Sequence, residues 1–212
     1  VVGTNIAEKA TMIWNVADML RGPFKPHEYG LVILPMTVVK RFHDCLLPTH
    51  KAVLEQYEKV KNFAVIDGFL TKASGYQFYN TCEFTLAELV NDSDHIAANF
   101  KSYINSFSAN VQDIIKSLDF DKQIDKMDKN NRLLAVVKAF SELDLNPQTI
   151  DNVKMGYIFE ELIRKFSENA EAGDHYTGRD IIKTMVNILI AEGCDDIFDD
   201  YKEITILDQA CG

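Results

Sequence analysis

The chain has 212 residues, 47% of them apolar, 25% charged and 10% aromatic, with 22 basic against 32 acidic side chains. Those proportions describe a folded protein able to bury a core and exclude collagen-like, low-complexity and largely disordered chains. The net charge of −10 argues against unaided grip on nucleic acid, and it is uneven: residues 1–60 hold 7 basic and 6 acidic groups, the rest 15 and 26.

Most of the sequence has helical periodicity. Ile6, Ala10, Ile13, Ala17 and Leu20 form one apolar stripe beside Trp14, with Asn5 and Glu8 placed as a cap and its return acceptor. Gly22, Pro23 and Pro26 break that helix. Glu28 to Leu47 is apolar on most faces, which predicts a central helix, kinked or restarted at Pro35 and ended by Pro48. A third helix is predicted over Lys51–Lys61. The segment Asp67 to Phe84, rich in Gly, Asn and aromatics, reads as irregular. Helices resume at Thr85–Val90, where Thr85 and Glu88 form a capping box, at His95–Phe107, Val111–Leu118 and Asp128–Leu143.

Character changes after Pro147. Met155 to Phe166 is a dense apolar helix, and a polar loop leads to His175-Tyr176-Thr177-Gly178-Arg179 and a helix over Asp180–Ala191. After an acidic loop comes Ile204-Thr205-Ile206-Leu207, the clearest strand, running into Asp208-Gln209-Ala210-Cys211-Gly212. A buried parallel strand needs neighbours on both sides, so it reads as the start of a truncated second domain. An apolar strand followed by an acidic residue, small residues and Gly is how nucleotide-binding α/β folds begin, because glycine lets backbone approach the ligand.

Asp208-Gln209-Ala210-Cys211-Gly212 resembles the D-P-A-C-G-[ST]-G motif of amino-group DNA methyltransferases, and Gly173-Asp174-His175-Tyr176-Thr177-Gly178-Arg179 resembles the G-[EQ]-[HYF]-[FY]-T-P-R motif that precedes it. Ile13 to Gly22, Tyr29 to Pro35, Phe78-Tyr79-Asn80 and Met155 to Arg164 are similar to one branch, the modification subunit of type I restriction–modification systems. The resemblance implies S-adenosyl-L-methionine as cofactor, bound by Asp174, His175, Tyr176, Thr177, Gly178, Arg179, Asp208, Ala210, Cys211 and Gly212. It implies methyl transfer to N6 of an adenine flipped from duplex DNA. It also implies a specificity subunit, a restriction subunit and a second modification subunit as partners. The family's catalytic Asn-Pro-Pro-aromatic motif is absent from this sequence, which therefore offers no catalytic residue. Gly178 and Gln209 stand where the family has Pro, loosening backbone that Pro would restrict.

Other features have plainer readings. His43, Cys45 and His50 lack the paired spacing of a zinc site, and no metal is expected. His175 falls in the cofactor segment, and methylation of adenine needs no His base. Lys40-Arg41 at a helix end reads as solvated and complementing the dipole, with DNA contact as the competing reading. Tyr76, Phe78 and Tyr79 read as packing rather than base-stacking groups. Asp195, Asp196, Asp199 and Asp200 lack the glycine and terminal Glu of a calcium loop. The apolar run Leu31–Met36 is far short of the roughly 20 residues of a membrane span, and no leader pattern opens the sequence. Scattered Cys45, Cys82, Cys194 and Cys211 suit reduced thiols in a cytoplasm.

The expectation is a mainly α chain: a helical N-terminal assembly and DNA-clamp domain over 1–148, then the truncated start of an α/β, Rossmann-like methyltransferase domain over 149–212. The alternative is a non-catalytic helical assembly module with a degenerate cofactor edge. An acidic DNA mimic is a third reading, against which the acidic residues are interspersed with apolar core positions.

Overall fold

Apolar residues three and four apart dominate this sequence, and they wind into helices that share one core. The computed structural model describes residues 6–169, 179–190 and 207. Two units separate between residues 173 and 174. In the first, α1 (Ile6–Trp14) and α2 (Val16–Leu20) carry the predicted stripe, and Ala10, Ile13, Ala17 and Leu20 are all buried. Asn5, the predicted cap, lies outside the described residues.

The central helix is α3 (Gly30–Leu46), which packs on α1 and on several helices from later in the chain. Pro35 neither restarts nor ends it: the helix is continuous through that residue. Pro35 lies in the second turn, and the only helical acceptor it deprives is the carbonyl of Leu31, an exposed residue. A 3-10 turn at Leu47–Thr49 contains Pro48 and leads to α4 (His50–Val60).

Asp67–Ser74 forms a helix, α5, within the stretch read as irregular, ended by Gly75 in the left-handed conformation (φ 75°). The hairpin α4–α5 has its own small core of Val53, Val60, Leu70 and Tyr79. At its tip Phe63, Val65 and Phe69 are exposed, the two rings 5.9 Å apart.

Then follow α6 (Leu86–Leu89), α7 (Ile96–Asn105), α8 (Ala109–Ser117), α9 (Phe120–Lys129) and α10 (Leu133–Ser141). The helix expected over Asp128–Leu143 is therefore two helices. Asn131 takes positive φ (54°) between them, a conformation Asn tolerates better than most residues. Phe100, Phe120 and Phe140, from α7, α9 and α10, are fully buried around α3. Lys126 of α9 pairs with Glu28 at 2.8 Å and lies 4.3 Å from the centre of the Phe24 ring, fastening α9 to the turn before α3.

The long helix α11 (Asn152–Asn169) buries Met155, Ile158 and Leu162 in this same core and packs on α1 and α3. In the second unit α12 (Arg179–Leu189) is amphipathic, with Ile181, Ile182, Met185, Val186, Ile188 and Leu189 all exposed. The strand expected over 204–207 lies outside the described residues except for Leu207, which is exposed and in no strand. No helix among the described residues is long and apolar enough to cross a membrane.

Candidate functional site

Of the expected cofactor residues, Asp174, His175, Tyr176, Thr177, Gly178, Asp208, Ala210, Cys211 and Gly212 lie outside the described residues, as does the acidic loop. Arg179 is the first residue of α12. The first-turn amides of a helix have no intrahelical acceptor, so this end offers donors of the kind a carboxylate or ribose hydroxyl accepts. That donor chemistry fits the methionine end of the expected cofactor.

The described residues assemble a different polar centre, at the C-terminal end of α3. A helix apolar all round buries whatever charge it carries, and Lys40, Arg41, His43 and Asp44 are all buried. Lys40 Nζ donates to Asp44 Oδ1 at 2.7 Å, an i,i+4 pair on one face of α3. The other oxygen of Asp44 accepts the backbone N–H of Leu145 at 2.8 Å.

Arg41 sends one nitrogen, Nη1, to two backbone carbonyls, Leu145 at 2.6 Å and Ile150 at 2.7 Å. Its Nη2 donates to Asn152 Oδ1 at 2.9 Å. The planar guanidinium meets the three acceptors from two nitrogens in a fixed fork, whereas a lysine would have to gather them round one. Both the solvated reading of Lys40-Arg41 and the DNA-contact reading are thus overturned, because neither cation reaches the surface. The signal in the sequence was the charged group Lys40, Arg41, Asp44 on a helix with no polar face to put it on.

Beside this cluster, His43 Nδ1 pairs with the Tyr103 hydroxyl at 3.0 Å. Burial, helped by the nearby Lys40 and His50 charges, pushes the His43 pKa down to about 3, so the ring is neutral at ordinary pH. Burial likewise drives the Tyr103 hydroxyl well above its usual range. His50 Nε2 donates to the Cys82 carbonyl at 2.8 Å. His43 and His50 thus make separate hydrogen bonds, one to the Tyr103 hydroxyl and one to the Cys82 carbonyl. Cys45 and Cys82 are free and buried, and burial raises both thiol pKa values, which disfavours the nucleophilic thiolate.

Two of the three aromatics pack as expected, the Phe78 ring lying 4.8 Å from Phe42 and Tyr79 donating to Asp67 Oδ1 at 2.6 Å, whereas Tyr76 is exposed. An open cleft of about 370 Å³ lies between the starts of α5 and α8. Its polar groups bond one another: Asn110 donates to the Gln77 carbonyl at 2.9 Å, and Ser108 to Asn110 at 2.7 Å. Chemically the described residues therefore supply connection between elements, with no nucleophile or base poised toward solvent in the buried centre.

Residues 9–140 match the family model described as HsdM N-terminal domain, and residues 150–212 match the model described as N-6 DNA Methylase. No curated protein matches the chain.

Proposed function

Because this chain belongs to the HsdM N-terminal domain family, of type I modification subunits, and continues into the start of an N-6 DNA methylase domain, we propose that it is the N-terminal part of a subunit that methylates adenine N6 in duplex DNA. The observation that carries the reading is the ordered pair of family matches within one chain. Supporting it, α12 exposes six apolar side chains on an amphipathic helix, the pattern of a helix that covers a sheet.

In this reading residues 1–148 form the assembly and clamp domain and 149–212 the methyltransferase entrance. Asp174 to Arg179, with Asp208, Ala210, Cys211 and Gly212, hold S-adenosyl-L-methionine, which supplies an electrophilic methyl on sulfur. The amides at the start of α12 orient its polar end, and Cys211-Gly212 let backbone approach it. The subunit works in a cytoplasmic complex with a specificity subunit, a restriction subunit and a second modification subunit. The Asn-Pro-Pro-aromatic motif that would face the flipped base is not among these 212 residues.

The test is methyl incorporation by the whole subunit that contains this chain, combined with its specificity subunit on duplex DNA. N6-methyladenine in the digested nucleosides is expected; its absence, with cofactor and DNA bound, would refute the reading. The 212-residue chain alone is expected to methylate nothing and to bind S-adenosylmethionine weakly. Micromolar affinity by calorimetry would contradict the second expectation. Gly178 and Gln209, standing where the family has Pro, favour the second reading, a non-catalytic assembly module. That reading predicts an intact complex without methylation.

A further inference from the structure

The two family matches leave residues 141–149 between them, the place where a flexible linker would be expected. The structure instead binds that segment to a buried charged cluster of α3. Arg41 holds the carbonyls of Leu145 and Ile150, Asp44 holds the amide of Leu145, and Lys40 holds Asp44 while lying 3.5 Å from the Ser141 carbonyl. The same guanidinium grips Asn152, the first residue of α11. Leu145 and Ile150 are fully buried.

Downstream, α11 falls inside the match to the methylase model, yet its buried residues lie in the helical core. Met155, Ile158 and Leu162 belong to that core, the Phe166 ring sits 5.2 Å from Trp14, and the same ring lies 3.6 Å from where a side chain on Gly30 would begin. A methyl group at residue 30 would meet Phe166 at ordinary van der Waals distance, so α3 and α11 approach closely there.

We propose that Lys40, Arg41 and Asp44 form a docking lock for α11. The lock makes the first helix of the methylase-matched region a working part of the helical domain and turns the connection between them into a fixed strap. Movement of the helical domain is then passed directly to α11. The inference concerns the first unit alone and stands whether or not the subunit methylates DNA.

Hydrogen exchange by mass spectrometry on the whole chain tests it. In the unaltered protein, residues 143–158 should exchange as slowly as α7. Arg41→Met should speed exchange over 143–158 by at least about tenfold while α7 and α9 change little, because local opening needs only the strap to release. Asn152→Ala, which leaves both carbonyl contacts of Arg41 in place, should give a smaller increase confined to the start of α11. Rapid exchange of 143–158 in the unaltered chain would overturn the proposal. So would an Arg41→Met effect spread evenly over all helices together with no selective effect of Asn152→Ala.

Discussion

His43 is neutral because α3 has no wet face at that turn: α7 brings Tyr103 against it and Lys40 lies one turn earlier. In the unfolded chain the same ring titrates near its usual 6.5. Below that pH the unfolded state takes up a proton that the fold refuses until about 3, so stability falls with falling pH across that window. Relative to a His43→Gln variant, the unaltered chain should lose about 2 kcal/mol more between about pH 7 and pH 5, at about 1.4 kcal/mol per pH unit. Urea midpoints across the range check this, and parallel pH profiles would count against it. Sequence pattern located this histidine on an apolar helix but could not foresee its partner 60 residues away. The same holds for Arg41, two of whose acceptors are backbone carbonyls more than a hundred residues later, whereas Lys40 finds Asp44 within its own helix. Side-chain identity marks the donor; only the tertiary fold supplies a carbonyl to meet it.

Capping chemistry is local, and there the sequence is most readable. Thr85 and Glu88 bond each other's backbone as the spacing predicts, Thr85 N to Glu88 Oε2 at 2.7 Å and Glu88 N to Thr85 Oγ1 at 3.4 Å. The hydrogen bond from the Thr85 backbone is the main reason the Glu88 carboxyl titrates below its usual range. Thr85→Ala should lower stability by about 1 kcal/mol, read as a lower thermal midpoint, and an unchanged midpoint would show the cap to be idle. Periodicity alone did less well where two helices abut. The helix expected over Asp128–Leu143 straddles two, divided by Asn130 and Asn131 with no proline or glycine to mark the break. In α5 the reverse occurred: Gly68 and a short run hid a helix that leans on α4 for its stability. The proline in α3 shows a third limit, since one lost donor in an early turn is tolerated when the rest of the helix is packed on several sides.

Taken whole, the chain's helical class was legible from spacing and residue type and its order of family motifs from resemblance, whereas the allegiance of α11 was not. Its apolar face says that it must be buried, but not in which core. All the expected cofactor residues but Arg179 are in positions the structure does not describe, so their chemistry still rests on the motifs. The charge of −10 now has a partial physical setting: two of the seven basic groups in residues 1–60 are interior ties and contribute nothing to a DNA-facing surface. The hairpin α4–α5 has a different consequence. Val53, Val60 and Leu70 of the hairpin, with Tyr79 just beyond it, form a pocket of cohesion separate from the thirty-odd residues that hold the main core. The hairpin should therefore open as a flap on a hinge while the body stays intact. Under brief trypsin treatment the first nick within residues 6–169 should fall at Lys59 or Lys61, beside the exposed tip of Phe63 and Val65. The two pieces should then travel together on a sizing column, and separation at the first cut would mean that the flap and the body share one cohesion after all.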